Sequence, residues 1–103
     1  MPSQERQEQR RLTAIAHKLQ PVLTVAGKGL SEGVLAELER ALSDHELIKV
    51  KLAVGDRDTR DALVQEMATH SGAKIVQQIG NTAVLLRRAQ QPDPKLSNLI
   101  RRV

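Results

Sequence analysis

Nowhere along its 103 residues does the chain hold a Phe, Tyr, Trp or Cys. Aromatic side chains normally supply much of a core's buried area, so a core here has to be aliphatic, built from Leu, Val, Ile and Ala. A 40% hydrophobic fraction is enough for one such core and one domain at this length. The lack of cysteine removes disulfides, thiolate chemistry and cysteine-held zinc together, which fits a reducing compartment. No run approaches the ~18 consecutive apolar residues of a membrane span. The polar start, Met1 to Arg11, has no apolar signal region. The expectation is a soluble cytoplasmic protein with no membrane partner.

Hydrophobic spacing orders the chain into seven elements. Leu12, Ile15, Ala16 and Leu19 recur at three- and four-residue intervals, which predicts an amphipathic helix over 4–19, ended by Pro21. Residues 21–26 (PVLTVA) read as a short buried strand. Ser31 suits the N-cap of a helix through about Ser43, with Val34, Leu35, Leu38, Ala41 and Leu42 on one face. Residues 47–54 (LIKVKLAV) alternate, setting Ile48, Val50, Leu52 and Val54 against Lys49 and Lys51, as in a strand with one wet face. Asp56 or Asp58 can cap a third helix carrying Ala62, Leu63, Met67 and Ala68, stopped near Ser71-Gly72. Two further strands, 74–79 and 82–87, are joined at Gly80-Asn81, a loop short enough to demand an antiparallel hairpin. The order α-β-α-β-α-β-β, with right-handed crossovers, predicts a two-layer α/β sandwich with a mixed four-stranded sheet. Both crossover helices then share one face. The segment 89–103 has two prolines and no evident partner, and reads as a flexible basic tail behind a domain spanning 1–88.

Charge is segregated along the chain. Residues 1–31 carry a formal +3, residues 32–72 carry −4 and residues 73–103 carry +5. Basic ends around an acidic middle predict one cationic side if the ends meet in the fold. Arg11 and Lys18, seven residues apart, share an edge of the first helix. The turn Ala26-Gly27-Lys28-Gly29 lies between a strand and a helix start, where unpaired N–H groups and the helix dipole favour an anion. Gly27 and Gly29 would let a backbone come close, and Lys28 adds a mobile charge. The spacing is not that of a Walker loop or a dinucleotide fingerprint. Lys49 and Lys51 can follow phosphates or simply solvate a strand. Arg87, Arg88, Lys95, Arg101 and Arg102 suit either an electrostatic tether or a solubilising tail. His17, His45 and His70 are scattered without metal-ligand spacing, and no acid/base pair or nucleophile set is visible. Neither an enzyme, a cofactor nor a metal is expected. Stacking of bases on Phe, Tyr or Trp is ruled out, so nucleic-acid binding would rest on phosphates, 2′-hydroxyls and shape.

The blocks HKLQPVLTVAGKGLSEGVLAELERAL, HELIKVKLAV and GDRDTRDALVQEMATHSGAKIVQQIGNTAVLLRR, in that order, resemble the CRM domain family, in particular its bacterial YhbY-like members, over Leu12 to Arg88. The resemblance implies a fold like the C-terminal domain of translation initiation factor three, and a monomeric RNA-binding protein that joins precursors of the large ribosomal subunit. It implies ribosomal RNA, not DNA, as the ligand. The family's G-x-x-G loop maps onto Ala26 to Gly29, with Ala26 in place of the first glycine. The basic first helix maps onto Arg11 and Lys18, and Leu86 stands where the family has an aromatic residue. The RNA-binding set is therefore expected to comprise Arg11, Lys18, Gly27, Lys28 and Gly29, with Lys49 and Lys51 as outer contributors. The rival expectation is a ribosome-associated interaction module that meets a protein partner through the acidic second and third helices.

Overall fold

A computed structural model describes residues 4–26 and 29–100. Its elements are α1 (Gln4–His17), β1 (Leu23–Val25), α2 (Glu32–His45), β2 (Leu47–Leu52), α3 (Arg57–Ser71), β3 (Lys74–Ile79) and β4 (Thr82–Leu86). The four strands form one sheet in the order β1-β2-β4-β3. β1 and β2 are parallel, while β4 runs antiparallel to both β2 and β3. The predicted α/β order and mixed sheet are thus observed. Because β1, β2 and β3 all point the same way, α2 and α3 are both crossover helices and lie on the same face of the sheet.

Local chemistry sets the element ends. Ser31 Oγ accepts from the Val34 N–H at 3.2 Å and starts α2. Asp56 accepts from both the N–H and the hydroxyl of Thr59, at 2.9 and 2.7 Å, and starts α3. These bonds satisfy donors that a helix start leaves without intrahelical partners. Gly80 has φ 57°, and Glu46 is the one non-glycine with positive φ among the described residues. A glycine at the first loop position alone is the pattern of a II′ hairpin turn, whose twist matches the strands it joins.

The first face of the sheet carries the larger core. Leu23 and Val25 of β1, Ile48, Val50 and Leu52 of β2 and Ala83 and Leu85 of β4 pack against Leu38 and Leu42 of α2 and Leu63, Val64 and Met67 of α3. A Leu or Met so enclosed contributes about 1.5–3 kcal/mol. The second face is covered over half its length, which is a third layer beyond the predicted two. Leu12 and Ala16 of α1 pack on Leu47, Val76, Val84, Leu86 and Leu99. Beyond this patch the same face carries Lys49 and Lys51, with Thr24 opposite Lys51 in β1 and Thr82 opposite it in β4.

The reading of 89–103 as a tail without a partner is corrected over residues 96–100. Ser97, Asn98 and Leu99 are buried. The Ser97 hydroxyl donates to Glu46 at 2.6 Å, Asn98 Nδ2 donates to Leu47 O at 2.7 Å, and the Asn98 N–H donates to His45 O at 2.9 Å. Leu99 joins the second core beside α1. The segment therefore runs as a strap across the junction of α2 and β2, held by polar groups that burial obliges to pair. Arg101 and Arg102 lie outside the described residues.

Candidate nucleic-acid interface

The interface builds from the half of the second sheet face that α1 leaves open. Alternation along β2 puts Lys49 and Lys51 there, because Ile48, Val50 and Leu52 take the buried face. Lys51 is exposed and Lys49 half-buried. Around Lys49, a recess of about 180 Å³ is lined by Ala16 and His17 of α1 and by Gln77, Ile79, Thr82 and Val84 of the hairpin. The end of α1 thus reaches the lysine row, and His17 is part of this surface.

The glycine turn begins at the same end of the sheet. Thr24 pairs in register with Lys51, Ala53 N–H donates to Val25 O at 2.7 Å, and Gly29 N–H donates back to Ala26 O at 3.0 Å. Lys51 accordingly stands two residues along the strand from the turn. Gly29 has φ 76°, and a Cβ there would sit 3.8 Å from Leu63 Cδ2. Space is available, so the backbone angle is what asks for glycine. Ala26 is not at positive φ, so the alanine in place of the family glycine carries no left-handed strain. Gly27 and Lys28 lie outside the described residues.

Arg11 of α1 and Lys18, the residue just after that helix, lie on the same side. Together with Ala14 they line one side of a groove of about 770 Å³, whose opposite side is the strap residues Asn98, Leu99 and Ile100. Arg11 is half-exposed, with one terminal nitrogen donating to Leu99 O at 2.8 Å and the other 3.6 Å from Glu8. A guanidinium has five donors, so this placement orients Arg11 without exhausting it. Lys18 is exposed, immediately after the His17 that reaches the lysine row.

Two of the expected tether residues serve the fold. Arg87 donates to Glu39 at 2.6 Å, to Ser71 O at 3.0 Å and to Ser43 at 2.9 Å, linking β4 to α2 and the end of α3. Its hydrogen bond holds the Glu39 carboxyl below the usual glutamate value, with a lesser contribution from its charge, against a partial counter-effect of burial. Arg88 pairs with Glu8 of α1. Sequence reasoning missed the strap and Glu46, whose partners are 43 and 51 residues away. No local signal marks such a contact.

Among the described residues no group of His, Asp and Glu is arranged to hold a metal, and no helix is long and apolar enough to cross a membrane.

Comparison with known proteins agrees with this architecture. The family model of the CRS1 / YhbY (CRM) domain matches residues 5–87. A Pseudomonas aeruginosa protein named "Probable RNA-binding protein PA4753" is 52% identical over 95 residues, covering 92% of this chain and 91% of its own. A Haemophilus influenzae protein named "RNA-binding protein" is 46% identical over 80 residues, covering 78% and 81%. The solution structure of a Staphylococcus aureus protein superposes with a TM-score of 0.73 at 25% identity, over 82% of this chain and 88% of that one. A match across most of the chain, joined to the same order of elements, means that this protein belongs to the CRS1 / YhbY (CRM) domain family.

Proposed function

We propose that this chain binds ribosomal RNA and assists assembly of the large ribosomal subunit in the cytoplasm, gripping the RNA backbone as a monomer and catalysing nothing. The observation that carries the reading is the meeting of three features at one end of the second sheet face: the lysine row, the start of the glycine turn and the basic end of α1. Lys49 and Lys51 follow one stretch of phosphates. Lys28 and the N–H groups of the Gly27–Gly29 turn hold another at the start of α2, where the helix dipole favours negative charge. Arg11 and Lys18 extend the contact along α1. The names of the Pseudomonas and Haemophilus relatives point to the same ligand class, and Glu39 of the acidic middle region is taken up by Arg87.

Lys28→Glu tests this directly. RNA affinity at moderate salt is expected to fall on the order of tenfold or more, since reversing a contact charge both removes an attraction and adds a repulsion. The melting temperature should stay within a degree or two of wild type. Equal binding by the variant rejects the turn's role. For the assembly role, the protein should cosediment with large-subunit precursor particles and be released when their RNA is digested. Retention after digestion would favour docking through a protein partner.

A further inference from the structure

The groove between α1 and the strap has a composition that backbone binding does not use. Its cations are Arg11 and Lys18, and the rest of its lining is largely aliphatic, with Ala14 and Ile15 of α1, Leu19 just beyond it, Val22 before β1 and Leu99 and Ile100 of the strap. Val22 and Ile100 remain 46% and 49% exposed, an unusual placement for two large apolar side chains in one depression. Of the described residues lining it, none is acidic. His45 also lines it, and its Nδ1 lies 2.9 Å from Leu96 O. A carbonyl can only accept, so Nδ1 carries the proton and Nε2 is the ring's remaining polar atom.

We propose that this groove takes one unpaired nucleobase of the bound RNA, with its ribose, laying the flat apolar faces of the base on the aliphatic lining while the flanking phosphates meet Arg11 and Lys18. Three observations argue for this occupant. The volume of about 770 Å³ falls in the roughly 300–1,000 Å³ range of sites for small organic groups. The cations are complementary to a polyanion and the aliphatic lining to an unstacked ring, a pairing that an acidic or purely apolar partner would not match. The groove also neighbours the lysine recess, since of the consecutive His17 and Lys18 the first lines the recess and the second the groove, so a strand held at the recess passes close to it. The chain has no Phe, Tyr or Trp on which to stack a splayed base, and the groove offers an aliphatic surface beside the His45 ring in their place. The strap is then a wall of the binding site.

This inference rests on the RNA-binding reading, and one experiment separates their fates. Fluorescence anisotropy compares a single-stranded oligouridylate with an abasic ribose-phosphate chain of equal length, at one salt concentration. Wild type is expected to bind the oligouridylate on the order of tenfold more tightly. Ala14→Glu, which places a carboxylate in the groove, and Ile100→Ala, which lowers its wall, should each bring that ratio to within about twofold. Both positions are exposed, so thermal melts should show folded variants. Equal binding of the two chains by wild type, or an undiminished ratio in both variants, overturns the base site and leaves backbone binding standing. Failure of wild type to bind either chain overturns the RNA reading itself.

Discussion

Glu46 combines a costly backbone conformation with a buried charge-bearing side chain. Its φ of 62° and ψ of −51° fall near the rare γ-turn geometry, which a residue with a Cβ adopts at a cost of about 1–3 kcal/mol. Four contacts hold it there. Its N–H donates to Leu42 O, its carbonyl accepts from the Arg87 N–H, and its carboxylate accepts from the Ala89 N–H and the Ser97 hydroxyl. Glu46→Gly relieves the backbone and strands two donors, each costing about 1–3 kcal/mol when buried and unpaired. The net expectation is a destabilisation of about 1–3 kcal/mol by denaturant titration, with the effect of Ser97→Ala largely lost in the Glu46→Gly background. Full additivity of the two changes would mean that the contact holds nothing. Glu46 was illegible in the sequence because a glutamate ending a helix is an ordinary surface residue until a segment half the chain away closes over it.

Acid sensitivity also belongs to single residues. Glu39 is held below its usual 4.5 by the hydrogen bond from Arg87, and Asp56 below its usual 3.8 by those from Thr59. Depressed folded-state values mean that both carboxylates stabilise the fold fully above these usual values, and that this contribution fades as pH falls through the depressed ones. Melting temperature should therefore decline on acidification below about pH 4.5. The decline should be shallower in Glu39→Gln with Asp56→Asn, and an identical pH profile in that double variant would refute the assignment.

At the scale of elements, the parts written in local chemistry were the legible ones. Ser31, Asp56 and Gly80 each act where their residue type and neighbours place them, and the alternation of LIKVKLAV sorted the two faces of β2 correctly. Asp56→Ala should lower the melting temperature through the loss of the cap, with the helix content of the folded state unchanged. The strap escaped because its sequence, broken by Pro92 and Pro94, has no period, and its polar residues Ser97 and Asn98 look solvated. They are buried because α2 and β2 present a carboxylate and a carbonyl to them. The bulge between Ile75 and Gln77 was equally hidden, since register is settled by the partner strand. It lets Val76 join the second core while Gln77 lines the lysine recess.

For the whole molecule, α1 and the lysine row lie on one face of the sheet and the net-acidic α2 and α3 on the other, although Arg87 of the basic C-terminal block sits against α2. Legibility there was partial. The lysines and the helix edge were found by periodicity, whereas their meeting at His17 depends on α1 crossing the second face, a placement that no crossover rule fixes. If Arg11, Lys18, Lys28, Lys49 and Lys51 each neutralise a phosphate, binding to single-stranded RNA should weaken with a log–log salt slope of about −3 to −4. Each charge-removing variant should make the slope shallower by about 0.7. A slope near zero would place the binding energy elsewhere.

The strand that completes the sheet is the last one made. β4 sits between β2 and β3, so neither can pair across the gap until residues 82–86 have been synthesised, and both cores borrow side chains from it. During translation the sheet must therefore wait until residues 82–86 have left the exit tunnel. A chain stopped at Asn81 should show helical circular dichroism without a cooperative melt, and addition of the remaining residues should restore an all-or-none transition.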